Sequence, residues 1–226
     1  MKNIGFIVCL LALLSACEEE GPFINFEEEQ ATLVDTSYVS TTPIPSVNKN
    51  VLFEEFSGVR CSNCPLGNAV TNGLFNSLGD RFVPFTVHSD FLALPYGNDQ
   101  DLRNSDANSL ASSLGPVGVK PSTFVNRKII NGSRLQQSPG TWSGLVNNEL
   151  AQSSFVKMNL EIVDADETER IVRYRITLSY NQNAPNHNLG FYLTESEIIA
   201  EQLDGSVKIS NYEHEFVLRQ SISPLI

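Results

Sequence analysis

The sequence predicts an α/β domain with a central mixed sheet and flanking helices, followed by a small all-β domain of sandwich type. Three observations carry this. A buried-strand pattern runs into Cys61-Ser-Asn-Cys64 and then into a helix pattern. Further strand, helix and hairpin signals follow as far as residue 152. From about Phe155 the pattern changes to an alternation of period two.

The N-terminus reads as a targeting signal over residues 1–16. Lys2 supplies the positive start, and Ile4 to Ala16 is apolar or small but too short to span a bilayer. Leu14-Ser15-Ala16-Cys17 resembles a bacterial lipobox, in which Cys17 is lipidated and becomes the first mature residue. The alternative is an ordinary signal peptide cleaved nearby. The apolar run, the small residues and the cysteine fall together at the right offsets and favour the lipobox. Several acyl chains would anchor the protein stably where one would not. Glu18 to Glu20 resemble the surface-export signals of some outer-membrane lipoproteins, or form a solvated tether.

Residues 17–50 are rich in Glu, Ser, Thr and Pro and are expected to be mostly tether, with possible strands at Ile24 to Phe26 and Thr32 to Val39. Val51 to Phe56 reads as a buried strand. Cys64 to Leu78 reads as a helix with Leu66, Ala69, Val70, Gly73, Leu74 and Leu78 on its inner face, stopped by Gly79. Pro65 fits only a first turn, so the helix is expected to begin near Cys61. Phe82 to His88 is the next strand, Asp101 to Leu114 the second helix, Ser122 to Ile130 a hairpin and Thr141 to Gln152 the last helix. This domain spans 51–152.

Residues 153–226 form the expected β-domain. Val156, Met158, Leu160 and Ile162 alternate with mostly polar neighbours, as do Val172, Tyr174, Ile176, Leu178 and Tyr180. Leu189 to Thr194 and Glu215 to Leu218 are further strands, and a core this small is marginal.

Charge narrows the function. A net charge of −11 offers no basic stripe, so nucleic acid is not an expected partner. Of four cysteines, Cys9 leaves with the signal and Cys17 carries lipid. Cys61 and Cys64 remain, in an exported compartment where disulfides persist.

The chemistry of the pair follows from position. Cys61, at a helix N-terminus beside Arg60, is favoured as thiolate and as attacking nucleophile. Cys64, one turn in, resolves the mixed disulfide, and Glu55 is the acceptor for its proton. Of Glu54 and Glu55, strand alternation sends one inward; a surface salt bridge is the plainer reading of the pair. A staple is the competing reading of the cysteines. A loop this short gains only about 2 kcal/mol of chain entropy, against about 3 for fifteen residues, so it is a poor staple. Cys61, Cys64 and His88 could also be read as metal ligands. Copper-delivering sites built from two cysteines and a histidine space their cysteines one residue further apart, and structural zinc needs four ligands. No metal or external cofactor is therefore expected, and His88 and Arg60 are read as modulating the pair. His187 and His214 are read as surface or structural.

The order strand, Cys-x-x-Cys, helix, strand, helix, hairpin resembles the thioredoxin fold. Glu55-Phe56, starting six residues before Cys61, matches that family's buried acid and phenylalanine. Gly118-Val-Lys-Pro-Ser-Thr123 resembles its cis-proline segment, which makes Pro121 the cis-proline of a substrate groove. The family's Trp before the first cysteine is Arg60 here, and its Gly-Pro is Ser62-Asn63. More broadly, Val51 to Pro65, Val117 to Arg127 and Tyr212-Glu-His-Glu-Phe-Val-Leu-Arg219 resemble the Omp-twenty-eight-related outer-membrane lipoprotein family. That resemblance implies a lipid-anchored outer-membrane protein, periplasmic or surface-facing, with a thioredoxin-like domain and a β-sandwich. Family members continue well past the last motif, so it also implies that the sandwich can lack its final strands. Two function classes follow. One is a thiol–disulfide oxidoreductase acting on exported proteins or peptides. The other is a redox-silent surface lipoprotein whose β-domain binds a protein or other partner.

Overall fold

A computed structural model describes residues 37–39, 44–115, 117–183, 186 and 188–223. Cys9, Cys17, Glu18 to Glu20 and His187 lie outside the described residues, as do the strand expected at Ile24 to Phe26 and most of that at Thr32 to Val39. The chain divides into two compact units, 44–157 with 180–226, and 1–43 with 158–179.

In the larger unit the apolar run Val51–Ser57 is β2, preceded by the short strand β1 (Val47–Asn48). Helix α1 covers Cys64–Leu78, β3 covers Phe82–His88 and α2 covers Ser105–Leu114. The side chain of Asn104 caps α2 by accepting from the Ala107 amide at 2.7 Å. Then come β4 (Ser122–Val125), β5 (Leu135–Gln136), α3 (Pro139–Leu150) and β6 (Ser153–Ser154). The later strands are β7 (Val156–Asp166), β8 (Ile171–Tyr180), β9 (Tyr192–Glu195), β10 (Ile198–Asp204), β11 (Val207–His214) and β12 (Val217–Ser221).

A six-stranded mixed sheet runs in the order β5-β4-β2-β3-β12-β9. β2 lies parallel to β3 and β3 to β12, while β4, β5 and β9 pair antiparallel. Both faces of β2 are covered. On one face Val51, Phe53, Phe82 and Val125 pack with Leu74 of α1 and with Trp142 and Val146 of α3. The Phe53 ring lies 5.1 Å from that of Phe82 and 5.3 Å, edge on, from Trp142. On the other face Phe56, Phe85, Val87 and Phe124 pack with Ala107 and Leu110 of α2 and with Leu218 of β12.

Residues 153–226 do not build a sheet of their own beyond hairpins among the described residues. β9 and β12 complete the central sheet, β10 pairs with β11, and β7 pairs with β8. Period-two alternation marks a strand but not the sheet it joins, which is why a separate domain was expected. The alternation in β7 also fails to mark a buried face. Met158, Leu160 and Ile162 are more than half exposed, since a two-stranded ribbon has no third layer to cover them.

The tether ends earlier than expected. Residues 44–50 belong to the larger unit, where β1 pairs with β6 and Lys49 meets Glu149 at 2.5 Å. Burial pushes the Glu149 carboxyl up, but Lys128, Lys49 and Asn126 together bring it down to about 2.

If β12 is integral to the sheet, Leu218→Ala lowers the stability of one cooperative unit by about 2–5 kcal/mol. Urea unfolding followed by the fluorescence of Trp142, the chain's single tryptophan, checks this. Unchanged Trp142 unfolding alongside a separate early transition would contradict the shared sheet.

Candidate functional site

β2 ends at Ser57, and the chain turns through Gly58 into the cysteine loop. Gly58 is demanded by space, because a Cβ there would stand 2.5 Å from the Leu92 carbonyl oxygen. Cys61 and Cys64 form a disulfide with their Cα atoms 5.3 Å apart. The helix begins at Cys64 with Asn63 as its N-cap residue and Pro65 in its first turn. Cys61 therefore precedes the helix, in a turn where its amide donates to the Gly58 carbonyl at 3.0 Å and its carbonyl accepts from Cys64 at 3.1 Å. Arg60 is engaged elsewhere. Its Nε and Nη2 donate to the Leu94 and Pro95 carbonyls at 2.7 and 2.6 Å, and its guanidinium lies 4.7 Å above the Tyr96 ring.

The inner face of α1 is only partly the apolar stripe expected from periodicity. Leu74 is buried and Val70 and Leu78 pack against the core, but Cys64, Gly67 and Thr71 also face inward and Leu66 is 63% exposed. The reason is Glu55. A Cβ on Gly67 would stand 2.6 Å from Glu55 Oε1 and 2.8 Å from Pro121 Cβ, so only glycine lets the helix this close. One turn on, Thr71 Oγ1 donates to Glu55 Oε2 at 2.5 Å. The Lys120–Pro121 peptide bond is cis, and both residues are buried. Lys120 Nζ donates to the Ser89 carbonyl and lies 3.0 Å from Asp90 Oδ2.

Glu54 and Glu55 are both fully buried, because β2 is covered on both faces. Their environments differ. Arg127 meets Glu54 through Nε and Nη2, at 2.8 and 2.7 Å. Burial pushes the Glu54 carboxyl up while Arg127 pulls it back, and the Arg127 guanidinium is itself held above its usual range. Among the described residues Glu55 has no cation beside it. Burial pushes its carboxyl up to about 8 against the hydrogen bond from Thr71, so at neutral pH it is mostly the acid.

Beside Glu55 is a cavity of about 10 Å³, room for roughly one water, bordered by Asn68, Thr71, His88 and His214. The His88 and His214 rings meet edge to face at 5.4 Å. No ring nitrogen of either makes a hydrogen bond of ordinary geometry to a described residue. Burial holds His88 well below its usual range and His214 down to about 4, the latter against the Glu201 backbone nearby, so both are neutral. Among the described residues no three His, Cys, Asp or Glu side chains are arranged to hold a metal ion.

The sequence reading missed what covers the disulfide. The β10–β11 hairpin lies along the cysteine loop. The Leu203 amide donates to Val59 at 2.8 Å and the Gly205 amide to Ser62 at 2.9 Å. Gln202, fully buried, donates through Nε2 to Gly58, Cys61 and Leu203 carbonyls. Cys61 is left 4% exposed. Asp204-Gly205 between alternating residues is a hairpin signal that sequence reading can use.

No family model and no curated protein matches the chain. The solved structure of HBP35 of Porphyromonas gingivalis is similar, with a TM-score of 0.62 at 16% identity over 78% of this chain. The match spans 57% of that structure's length. A protein structure from Agrobacterium tumefaciens aligns with a TM-score of 0.49 at 14% identity, over 78% of this chain and 74% of its own. The HBP35 likeness is one of fold, and with the sheet order and the cysteine pair it is consistent with a thioredoxin-like architecture.

Two outcomes follow. A carboxyl raised from 4.5 to about 8 by burial costs no stability below about pH 4.5 and progressively more up to about pH 8. Wild type is therefore expected to lose stability against Glu55→Gln across that window, by up to about 5 kcal/mol. Parallel stability profiles of the two proteins would contradict it. Gln202→Ala removes the side-chain bonds to the loop and is expected to speed disulfide reduction by a small dithiol about tenfold. An unchanged rate would show that the hairpin does not restrain the loop.

Proposed function

We propose that the protein is a thiol–disulfide oxidoreductase of the cell envelope, acting on exported proteins or peptides through Cys61 and Cys64. The observation that carries the reading is the disulfide at the head of α1 with a fully buried carboxyl that has no cation partner among the described residues. A structural disulfide has no use for Glu55, whose burial without a cation is costly.

The exchange balances as follows. A substrate thiolate attacks Cys61 Sγ, the Cys61–Cys64 bond breaks, and the Cys64 thiolate takes the Glu55 proton. A second substrate thiolate then attacks the substrate sulfur joined to Cys61 and releases Cys61. The substrate loses two electrons to the pair. In reverse, Cys61 attacks a substrate disulfide, and Cys64, its proton passing to Glu55, resolves the mixed species. Pro121, beside α1 on the turn into β4, borders the groove for an extended substrate. Arg60 is occupied by the Leu94 and Pro95 carbonyls, and His88 borders the cavity beside Glu55. Access to Cys61 requires the β10 strand to move.

The same proposal places the chain with the Omp-twenty-eight-related lipoproteins. Its lipid is attached at Cys17, and it sits at the outer membrane, periplasmic or surface-facing. A second reading has an observation in its favour. Cys61 is 4% exposed, and β7 carries exposed Met158, Leu160 and Ile162. A redox-silent lipoprotein that binds a partner through its C-terminal β-region fits both.

Trapping separates the two. Cys64→Ser is expected to accumulate mixed disulfides with envelope proteins, since the attacking thiol survives without its resolver. Cys61→Ser is expected to accumulate few. Diagonal gels and mass spectrometry check this, and no captured partner with either variant would favour the binding reading. Mass spectrometry of membrane-extracted protein is expected to show an acylated Cys17; a free N-terminus beyond it would contradict the anchor.

A further inference from the structure

The motif Tyr212-Glu-His-Glu-Phe-Val-Leu-Arg219 takes no part in the exchange as described, although its first residue reaches the buried carboxyl. Asn68 stands between them. With its amide turned to serve the carboxylate, its nitrogen donates to Glu55 Oε1 at 2.9 Å and to the Cys64 carbonyl at 3.3 Å. Its oxygen accepts from the Tyr212 hydroxyl at 3.0 Å. Reversed, the amide donates to the Tyr212 hydroxyl at 3.0 Å and accepts from Ser57 Oγ at 3.4 Å, so the donor orientation is the one that serves the ionised carboxyl.

We infer that Tyr212 and Asn68 are positioning residues for the Glu55 carboxyl: Tyr212 fixes the amide of Asn68 so that it presents a donor to Glu55 Oε1, and so sets the proton affinity of that carboxyl. The inference rests on the reading of Glu55 as proton carrier for Cys64. Thr71 serves the other oxygen, so Glu55 is gripped from α1 at both oxygens and from β11 through Asn68. Burial holds the Tyr212 phenol above its usual range, so it remains a donor while Glu55 titrates. A strand far along the chain thereby acts on the chemistry of the Cys-x-x-Cys loop.

The other titratable groups facing this region are His88 on β3, Glu213 and His214 on β11, Glu215 just after it, and Lys120 before β4. The two histidines are held neutral by burial, so they do not titrate together with Glu55.

A donor hydrogen bond favours the carboxylate, so losing it raises the carboxyl further. The test is an infrared titration of the Glu55 carboxyl in the oxidised protein, with the band assigned through Glu55→Gln. Tyr212→Phe keeps the ring and removes the hydroxyl, and Asn68→Ala removes the bridge. Each is expected to move the midpoint upward by about one pH unit, a tenfold change in acid constant. A role confined to packing would lower thermal stability and leave the midpoint in place, and unmoved midpoints in both variants overturn the inference. The underlying reading is tested separately, by resolution of a glutathione mixed disulfide preloaded on Cys61. If Glu55→Gln resolves it as fast as wild type, Glu55 carries no proton for Cys64, and the inferred effect on catalysis falls with that reading. Slowed resolution in Glu55→Gln with unmoved midpoints leaves the reading standing and the Tyr212–Asn68 inference refuted.

Discussion

Two adjacent carboxylates in a strand buried on both faces set the terms for the rest of this structure. Alternation along β2 sends Glu54 and Glu55 to opposite sides, and neither side is open to water. An isolated charge in such a place is prohibitively costly, so each side must solve the problem. On the Glu54 side Arg127 makes a two-pronged ion pair and Tyr192 supports the guanidinium at 3.1 Å. On the Glu55 side no cation is supplied among the described residues. The carboxyl instead keeps its proton and takes hydrogen bonds from a helix face made of glycine, asparagine and threonine. That face brings α1, and with it Cys64, against β2.

The second constraint is closure. The cysteine loop is held from below by α1 and along its length by the β10–β11 hairpin, whose backbone and Gln202 satisfy its carbonyls. Unpaired backbone carbonyls near a buried disulfide would need water, and the hairpin replaces that water. The same contacts bury Cys61. Thiol exchange needs an approach to its sulfur, so the hairpin contributes both order at the site and a barrier to its use.

Much of this was legible in the sequence. β3 has the expected limits, β2 runs one residue further, and α1 spans Cys64–Leu78 as its pattern marks, but the start near Cys61 inferred from Pro65 is not seen, since Asn63 is the N-cap. The cysteine pair stands out by its spacing, whereas Glu55 and Pro121 are picked out by the resemblance of their segments to thioredoxin. The inner face of α1 was legible at Val70, Leu74 and Leu78, which pack on the core, and misread at Leu66, because periodicity does not register how closely Gly67 must approach Glu55. β10 and β11 went unrecognised as strands because Gln202 and His214 occupy buried positions where an apolar residue marks the pattern. Gln202 is polar for a reason, since it satisfies loop carbonyls. No local signal tells that β12 lies beside β3, since pairing over so long a separation is a tertiary choice.

The proposed role of Glu55 as proton store of the cysteine pair is tested most directly by a carbon-13 NMR titration of its carboxyl in the oxidised and the reduced protein. The oxidised form is expected to titrate near about 8, raised by burial. In the reduced form Glu55 and Cys64 should titrate as a coupled pair, each sensing the other's charge. A carboxyl that titrates near its ordinary value of about 4.5, or one indifferent to reduction of the disulfide, would contradict the account.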